Sequence, residues 1–153
     1  MKVLMVCLGN ICRSPMAEGI FRQKALEKGI DLHVDSCGTA NYHVGEHPHP
    51  PSVKTSGKHG VDISYLIGRQ FSHYDFDKFD IILTMDQSNY QNVIALAQNQ
   101  DGISKVKMIL NYSYPKSNMN VPDPWYGEEQ GYEDVFQLLD QAADDFFIAH
   151  FDE

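Results

Sequence analysis

The sequence predicts an α/β protein built on a parallel sheet, and two observations carry the prediction. Short apolar runs alternate with stretches of helical periodicity along the whole chain. The opening run, residues 2–7, is followed by one helical stretch and then by a second strand candidate at residues 32–36. This strand–helix–strand order predicts a right-handed crossover and parallel pairing. The length of 153 residues fits one domain that spans residues 1–153.

The remaining elements follow from periodicity and from start and stop signals. Ser14 as N-cap and Pro15 as first helical residue predict where the first helix begins, and Gly29 predicts its end. Asp86 is expected to cap a helix that runs to about residue 96. Two further strands are expected at residues 80–85 and 105–110. The other helices are expected at residues 52–59 and 132–151, with one or two helical turns within residues 71–79.

Composition excludes several classes of protein. With 42% hydrophobic residues the chain is not of the disordered type, and it has no apolar run of the about 20 residues that a membrane span needs. The N-terminus lacks the apolar core of a signal peptide. A net charge of −9 argues against a nucleic-acid partner, because an acidic surface repels phosphate backbones. Three cysteines cannot form a disulfide framework, so we expect a cytoplasmic location.

The segment between the first strand and the first helix, the 7–14 loop, is the strongest functional signal. Ligands of parallel sheets bind at the carboxyl ends of the strands, and Cys7 stands at such an end. Five residues then lead to Arg13 and Ser14 at the start of a helix. A loop of this length that curls into a helix turns its backbone N–H groups inward and forms a nest for an anion. We therefore expect the backbone of the five intervening residues to bind phosphate: Leu8, Gly9, Asn10, Ile11 and Cys12.

Each side chain of the 7–14 loop has a chemical reason to be there. Gly9 and Asn10 tolerate the positive φ that a tight curl requires. The planar guanidinium of Arg13 matches two oxygens of a phosphoryl group. The same positive field favours the thiolate form of Cys7, to which the Ser14 hydroxyl can donate a hydrogen bond.

The motif CLGNICRSPMAE resembles the signature of the low-molecular-weight protein tyrosine phosphatase family. The segments VDSCGTANYHVG, GRQFSHYDFDKFDIILTMDQSN and VPDPWYG match that family in the same order. The resemblance implies a four-stranded parallel sheet flanked by helices on both faces, with the phosphate-binding loop after the first strand. It also implies hydrolysis of phosphotyrosine and of aryl phosphate monoesters through a cysteinyl-phosphate intermediate.

The resemblance also implies a role for individual residues. Cys7 would be the nucleophile, Arg13 the phosphate-binding residue and Asp123 the general acid, since a thiolate cannot supply the proton that the leaving oxygen needs. Asn10, Ser14 and Ser36 would hold the loop by hydrogen bonds. The aromatic rim of the pocket would consist of Tyr42, Trp125 and Tyr126.

Other candidate residues are given structural roles. His43, Glu46, His47 and His49 cluster in one segment, but their spacing matches no standard metal-ligand pattern, so we expect no metal and no cofactor. Cys37 is interpreted as a small packed residue. The segment of Asp86, Ser88 and Asn89 is interpreted as scaffold that closes the start of a helix.

The expected partners are proteins that contain phosphotyrosine, with inorganic phosphate as product, no nucleic acid and no membrane insertion. Two alternatives stay open. A thiol-dependent arsenate reductase shares this loop, but it needs a further pair of redox cysteines, and no cysteine follows Cys37. A silent phosphate-binding module would need neither the nucleophile nor the acid. Cys12 is expected to form a reversible disulfide with Cys7 after oxidation, or else to pack under the loop.

Overall fold

The computed structural model describes residues 1–124 and 128–151. The strands lie at Lys2–Cys7 (β1), His33–Gly38 (β2), Ile81–Thr84 (β3) and Val106–Met108 (β4). The α-helices lie at Arg13–Lys28 (α1), Pro50–Lys58 (α2), Asp75–Lys78 (α3), Gln87–Ile94 (α4), Gln100–Ser104 (α5) and Glu129–Phe151 (α6). A 3-10 helix at Ile109–Tyr112 follows β4.

The strands form one sheet in the order β2-β1-β3-β4, and every neighbouring pair is parallel. The four-stranded parallel sheet of the sequence prediction is therefore confirmed. Cys7 pairs in register with Gly38 of β2, while Val6 pairs with Thr84 of β3. Because the pairs are parallel, the ends of β1, β2 and β3 meet at one edge of the sheet, and the 7–14 loop leaves from that edge.

Helices cover both faces of the sheet, as the resemblance implies. Successive residues of β1 point to opposite faces: Met5 packs in a core with residues of α1 and α6, and Leu4 packs in a second core with residues of α3 and α4. Both cores exclude solvent, which explains why β1 is an unbroken apolar run. Among the described residues, no helix has the length and apolar character needed to cross a membrane.

The ends of several elements differ from the prediction. Helix α2 begins at Pro50 rather than at residue 52, because Pro50 and Pro51 fill the first helical turn, where proline loses no hydrogen bond. The one or two helical turns expected within residues 71–79 are confirmed as the single turn α3. Helix α5 was not predicted, although Asn99 caps it by accepting a hydrogen bond from the Gly102 N–H. Strand β4 is shorter than predicted, and α6 begins earlier, at Glu129.

For α1, the predicted N-cap is wrong and the predicted end at Gly29 is confirmed. The N-cap is Cys12, not Ser14, and it makes no side-chain capping bond. Ser14 lies inside the first turn because its hydroxyl faces Cys7 instead of the helix end. Gly29 ends α1 with φ 67°, a left-handed conformation that glycine adopts without strain. The predicted Asp86 cap of α4 is also confirmed.

Candidate active site

The 7–14 loop turns its carbonyl groups away from its centre. The carbonyl of Leu8 accepts a hydrogen bond from the Ala40 N–H at 2.9 Å, and that of Ile11 accepts one from the His49 N–H at 2.8 Å. The carbonyl of Cys12 accepts a hydrogen bond from the Ser52 hydroxyl at 3.0 Å. With the carbonyl oxygens held outward, the backbone N–H groups line the concave side, which is the arrangement of an anion nest.

The thiol of Cys7 lies at the centre of a hydrogen-bond network. Its sulfur accepts a hydrogen bond from the Asn10 N–H at 3.3 Å and lies 3.0 Å from the Ser14 hydroxyl. The Asn10 amide donates to Ser14 at 2.8 Å and to Ser36 at 3.0 Å. The sulfur is therefore held between the backbone of the loop and the first turn of α1.

The network continues to a carboxylate that the sequence analysis did not identify. The Ser36 hydroxyl donates a 2.6 Å hydrogen bond to Glu18, which also pairs with Arg22. Burial raises the pKa of Glu18 above its usual range, although the bonds from Ser36 and Arg22 oppose that rise. Glu18 therefore orients Ser36 and, through it, the Asn10 side chain. The spacing of Glu18 on α1 resembles that of an ordinary surface carboxylate, so the sequence carried no signal for this contact.

Two adjacent loop residues owe their identity to different causes. Asn10 has φ 60°, as predicted for the curl. Gly9 does not have a positive φ, so that part of the prediction is wrong. A Cβ atom on Gly9 would lie 3.0 Å from the His43 ring, so a close approach explains this glycine instead. His43, which was expected to have only a structural role, lines the pocket and pairs with Glu46 through Nδ1 at 2.9 Å.

Arg13 is buried beneath the loop and held from two sides. Its Nη1 atom donates to Asp86 at 2.8 Å and to the carbonyl of Val121 at 3.0 Å. Burial opposes its charge, but Cys7 and Asp86 together raise the pKa of Arg13 above its usual value. Asp86 is therefore more than the helix cap expected from the sequence, since it also fixes the guanidinium.

Asp123 reaches the same site from the segment between β4 and α6. Its Oδ2 atom lies 3.8 Å from Nη2 of Arg13, and its side chain is 37% exposed. The segment is anchored directly before it, because the Val121 N–H donates to the carbonyl of Met85 at 2.7 Å. Pro122 and Pro124 flank Asp123 and restrict its backbone.

These groups enclose a cavity of about 210 Å³ at the edge of the sheet. The expected residues that line it are Cys7, Leu8, Gly9, Ile11, Cys12, Arg13, Tyr42 and Asp123. Asn10, Ser14 and Ser36 do not line the cavity, because their side chains bond to one another behind the loop. Trp125 and Tyr126 lie outside the described residues. The structure thus brings the expected nucleophile, guanidinium and carboxyl group to one cavity.

Cys12 has a partner that the sequence did not suggest. Its thiol hydrogen-bonds with the hydroxyl of Tyr132 on α6, and that hydroxyl lies 3.0 Å from Nδ1 of His49. Burial, with the charges of Cys7 and Asp123 adding to it, raises the pKa of Cys12 to about 12, whereas the bond with Tyr132 opposes the rise. Cys12 is therefore a protonated thiol at neutral pH. Cys37 is fully buried, as expected of a packed residue.

The histidines of the segment after β2 contact different partners. His43 pairs with Glu46, His47 Nδ1 lies 2.8 Å from the carbonyl of Leu66, and His49 contacts Tyr132. Across residues 1–124 and 128–151, no group of three or more His, Cys, Asp or Glu side chains is placed to hold a metal ion.

Comparison with known proteins gives one family. The model of the low molecular weight phosphotyrosine protein phosphatase family matches residues 2–153. A low molecular weight phosphotyrosine protein phosphatase of Schizosaccharomyces pombe is 41% identical over 143 residues, which cover 91% of this chain and 90% of the relative.

Solved structures give the same result. A protein tyrosine phosphatase of Entamoeba histolytica superimposes with a TM-score of 0.91 at 32% identity, covering 97% of this chain and 95% of its own. An arginine phosphatase of Drosophila superimposes with a TM-score of 0.92 at 29% identity, and the match covers 99% of this chain and 98% of the Drosophila chain. The family model, the relatives and the fold agree, and the chain belongs to the low molecular weight phosphotyrosine protein phosphatase family.

Proposed function

We propose that the protein is a protein tyrosine phosphatase, which hydrolyses phosphotyrosine in proteins and aryl phosphate monoesters through a phosphorylated Cys7. One observation carries the proposal: the Cys7 thiol, the Arg13 guanidinium and the Asp123 carboxyl group face one cavity of about 210 Å³. Phosphoryl transfer to sulfur requires a nucleophile, a cation and an acid around one site, and these three groups meet that requirement.

Binding of the phosphate group uses the backbone and Arg13. The inward N–H groups of the 7–14 loop donate hydrogen bonds to the phosphoryl oxygens, and helix α1 begins behind them, with its positive end at the anion. Because Asp86 and the Val121 carbonyl hold Nη1, the guanidinium keeps a fixed plane and can present its other N–H groups to the phosphate. Little reorganisation is then needed when charge develops in the transition state.

The first chemical step transfers the phosphoryl group to sulfur. The Cys7 thiolate attacks phosphorus, the bond from phosphorus to the phenolic oxygen breaks, and Asp123 donates its proton to that oxygen. The Ser14 hydroxyl, 3.0 Å from the sulfur, donates a hydrogen bond to the thiolate and makes sulfur a better leaving group later.

The second step releases inorganic phosphate. Asp123, now a carboxylate, accepts a proton from a water molecule, the water oxygen attacks phosphorus, and the bond from sulfur to phosphorus breaks. The Cys7 thiolate is regenerated, so the cycle consumes one ester and one water molecule. No cofactor takes part in either step.

The aromatic rim supports phosphotyrosine as substrate. Tyr42, which is 72% exposed, stands at the cavity mouth and can stack on a phenyl ring. A phosphoserine side chain is shorter and offers no ring to this wall. Trp125 and Tyr126 belong to the same proposed rim.

We also infer that oxidised Cys7 is rescued by Cys12 in a reducing, cytoplasmic compartment. Peroxide would convert the Cys7 thiolate to a sulfenic acid, and attack by Cys12 would form a disulfide with loss of water. Cellular thiols would then reduce the disulfide and restore the thiolate. All three cysteines are free thiols in the structure.

Turnover of p-nitrophenyl phosphate, followed by a panel of phosphotyrosine, phosphoserine and phosphoarginine peptides, tests the proposal. We expect catalytic hydrolysis of the aryl ester and a preference for phosphotyrosine. An absence of turnover with retained phosphate binding would indicate a binding module instead. Arsenate reduction without ester hydrolysis would indicate the reductase alternative, and a preference for phosphoarginine would indicate the activity named for the Drosophila structure.

A further inference from the structure

A second groove opens beside the candidate active site. It has a volume of about 420 Å³ and shares Leu8 and Tyr42 with the catalytic cavity. Its far side is formed by Asn92 and Leu96, at the C-terminal end of α4 and just beyond it. The catalytic cavity and this groove are therefore direct neighbours, with Leu8 and Tyr42 as their common boundary.

The floor of the groove is tied to the catalytic loop by backbone hydrogen bonds. The N–H groups of Thr39 and Ala40 donate to the carbonyls of Cys7 and Leu8, each at 2.9 Å. The Phe71 N–H donates to the carbonyl of Gly38 at 2.7 Å. The groove is thus preformed, and its position relative to Cys7 is fixed by the same sheet edge that fixes the loop.

The lining of the groove combines apolar side chains with amide and hydroxyl groups, and no charged side chain is among the residues that form it. Leu8 is 42% exposed and Leu96 is 51% exposed, so both present apolar surface to solvent. The amides of Asn41 and Asn92 stand beside them and can bond to a peptide backbone. An uncharged surface stands out on a chain that carries 21 acidic and 12 basic residues.

The path of a protein substrate leads over this groove. When a phosphotyrosine side chain fills the catalytic cavity, its backbone must cross the mouth, where Leu8 and Tyr42 stand. Because the second groove shares Leu8 and Tyr42 with the cavity, the residues next to the phosphotyrosine in an extended chain lie over it. An acidic flanking sequence would meet repulsion from a protein of net charge −9, whereas an apolar one would bury Leu8 and Leu96.

We propose that this groove binds the substrate segment next to the phosphotyrosine and selects apolar, uncharged side chains there. The proposal rests on the proposed phosphatase function, of which it specifies the substrate class. Leu96 acts as a specificity-determining residue that takes no part in the chemistry.

The experiment compares phosphotyrosine peptides that differ only in their flanks. Peptides with Leu, Gly or Glu at the two positions before, or the two positions after, the phosphotyrosine are assayed for kcat/KM beside p-nitrophenyl phosphate. We expect Leu to be preferred over Gly by about tenfold on one side, with Glu poorest. In Leu96→Lys the preference for Leu should be lost and Glu should improve, while p-nitrophenyl phosphate, too small to reach the groove, reports an intact site.

Matched variants keep the result interpretable. Leu26→Lys changes another exposed leucine, on α1 and outside the groove, and should behave as the native protein with every substrate. Leu96→Ala and Asn92→Asp test the same surface if Leu96→Lys does not fold. Equal kcat/KM for all flanks, with normal hydrolysis of p-nitrophenyl phosphate, would overturn this proposal alone. A changed oligomeric state in Leu96→Lys without a changed peptide preference would assign the groove to self-association and also overturn it. No hydrolysis of any ester would instead overturn the proposed function.

Discussion

Arg13 donates a 2.8 Å hydrogen bond to Asp86, although 73 residues separate the two in the chain. The same carboxyl group accepts a hydrogen bond from the Asn89 N–H and so begins helix α4. One side chain therefore joins the start of a helix on one face of the sheet to the guanidinium of the candidate active site. Strand β3, which ends two residues before Asp86, sets the position of both.

Asp86→Asn is expected to separate these two roles. Asparagine caps helices as well as aspartate, so α4 should persist, but the charge that fixes Arg13 is lost. We expect kcat/KM for p-nitrophenyl phosphate to fall by about 10–100-fold and the free energy of unfolding to fall by about 1–3 kcal/mol. Asn99→Asp is the matched control at the α5 cap, and both measurements should change little in it.

Cys7→Ser is expected to abolish hydrolysis of p-nitrophenyl phosphate. A serine hydroxyl stays protonated at neutral pH and cannot attack phosphorus as the thiolate does. Binding of vanadate or inorganic phosphate, measured by calorimetry, should persist, because the backbone and Arg13 are unchanged. Measurable turnover by this variant would contradict the covalent mechanism.

The effect of Asp123→Ala on kcat is expected to depend on the leaving group. For esters of weakly acidic phenols, which need a proton on departure, kcat should fall by about 10²–10⁴-fold. For p-nitrophenyl phosphate and better leaving groups the loss should shrink. A series of aryl phosphates gives the slope of log kcat against the acidity of the phenol, and an unchanged slope would assign the acid to another residue.

Recovery from oxidation is expected to require Cys12 and to rise with pH. The pKa of Cys12, raised to about 12, leaves little thiolate at neutral pH, and the thiolate fraction grows about tenfold for each pH unit below that value. Disulfide formation after peroxide should therefore be faster at pH 8.5 than at pH 7. Dithiothreitol should then restore the activity of the native protein and little of that of Cys12→Ser.

Tyr132→Phe provides the control for this prediction. The hydrogen bond with Tyr132 lowers the pKa of Cys12, so its loss should slow disulfide formation and increase irreversible oxidation of Cys7. The basal activity on p-nitrophenyl phosphate serves as the reference for each variant. Equal recovery in the native protein and in Cys12→Ser would leave Cys12 as a packing residue.

Gly38→Ala is expected to damage the active site from the neighbouring strand. A Cβ atom there would lie 2.6 Å from the carbonyl oxygen of Leu8 and 3.0 Å from the carbonyl carbon of Gly9, and backbone cannot move aside as a side chain can. We expect a loss of about 1–3 kcal/mol in the free energy of unfolding and a large loss of kcat. Gly57→Ala, where a Cβ meets nothing within 4 Å, should instead stabilise helix α2 by up to about 1 kcal/mol. Denaturant-induced unfolding of both variants measures the two changes in the free energy of unfolding.

The sequence by itself determined the fold class, the position of the 7–14 loop and the identities of the expected nucleophile, cation and acid. The fold class and the loop were accessible because they depend on neighbours along the chain: the apolar run of β1 ends at Cys7, and Arg13 follows at a helix start. The role of Asp123 as the acid came from the resemblance to the family, because an aspartate between two prolines is by itself an ordinary turn signal. The ends of short elements such as α3 and α5 were less accessible, because a single helical turn has too few residues for a periodic pattern.

Only the tertiary structure decided which distant side chains support the site. Glu18 contacts Ser36, Asp86 contacts Arg13 and Tyr132 contacts Cys12. The two residues of each pair are far apart in the sequence, so no local sequence pattern predicts these contacts. Leu96 likewise joins Leu8 in one groove. The physical reason is the parallel sheet: its strands end at one edge, so segments far apart in the chain are brought together there, where burial favours hydrogen bonds between their polar groups.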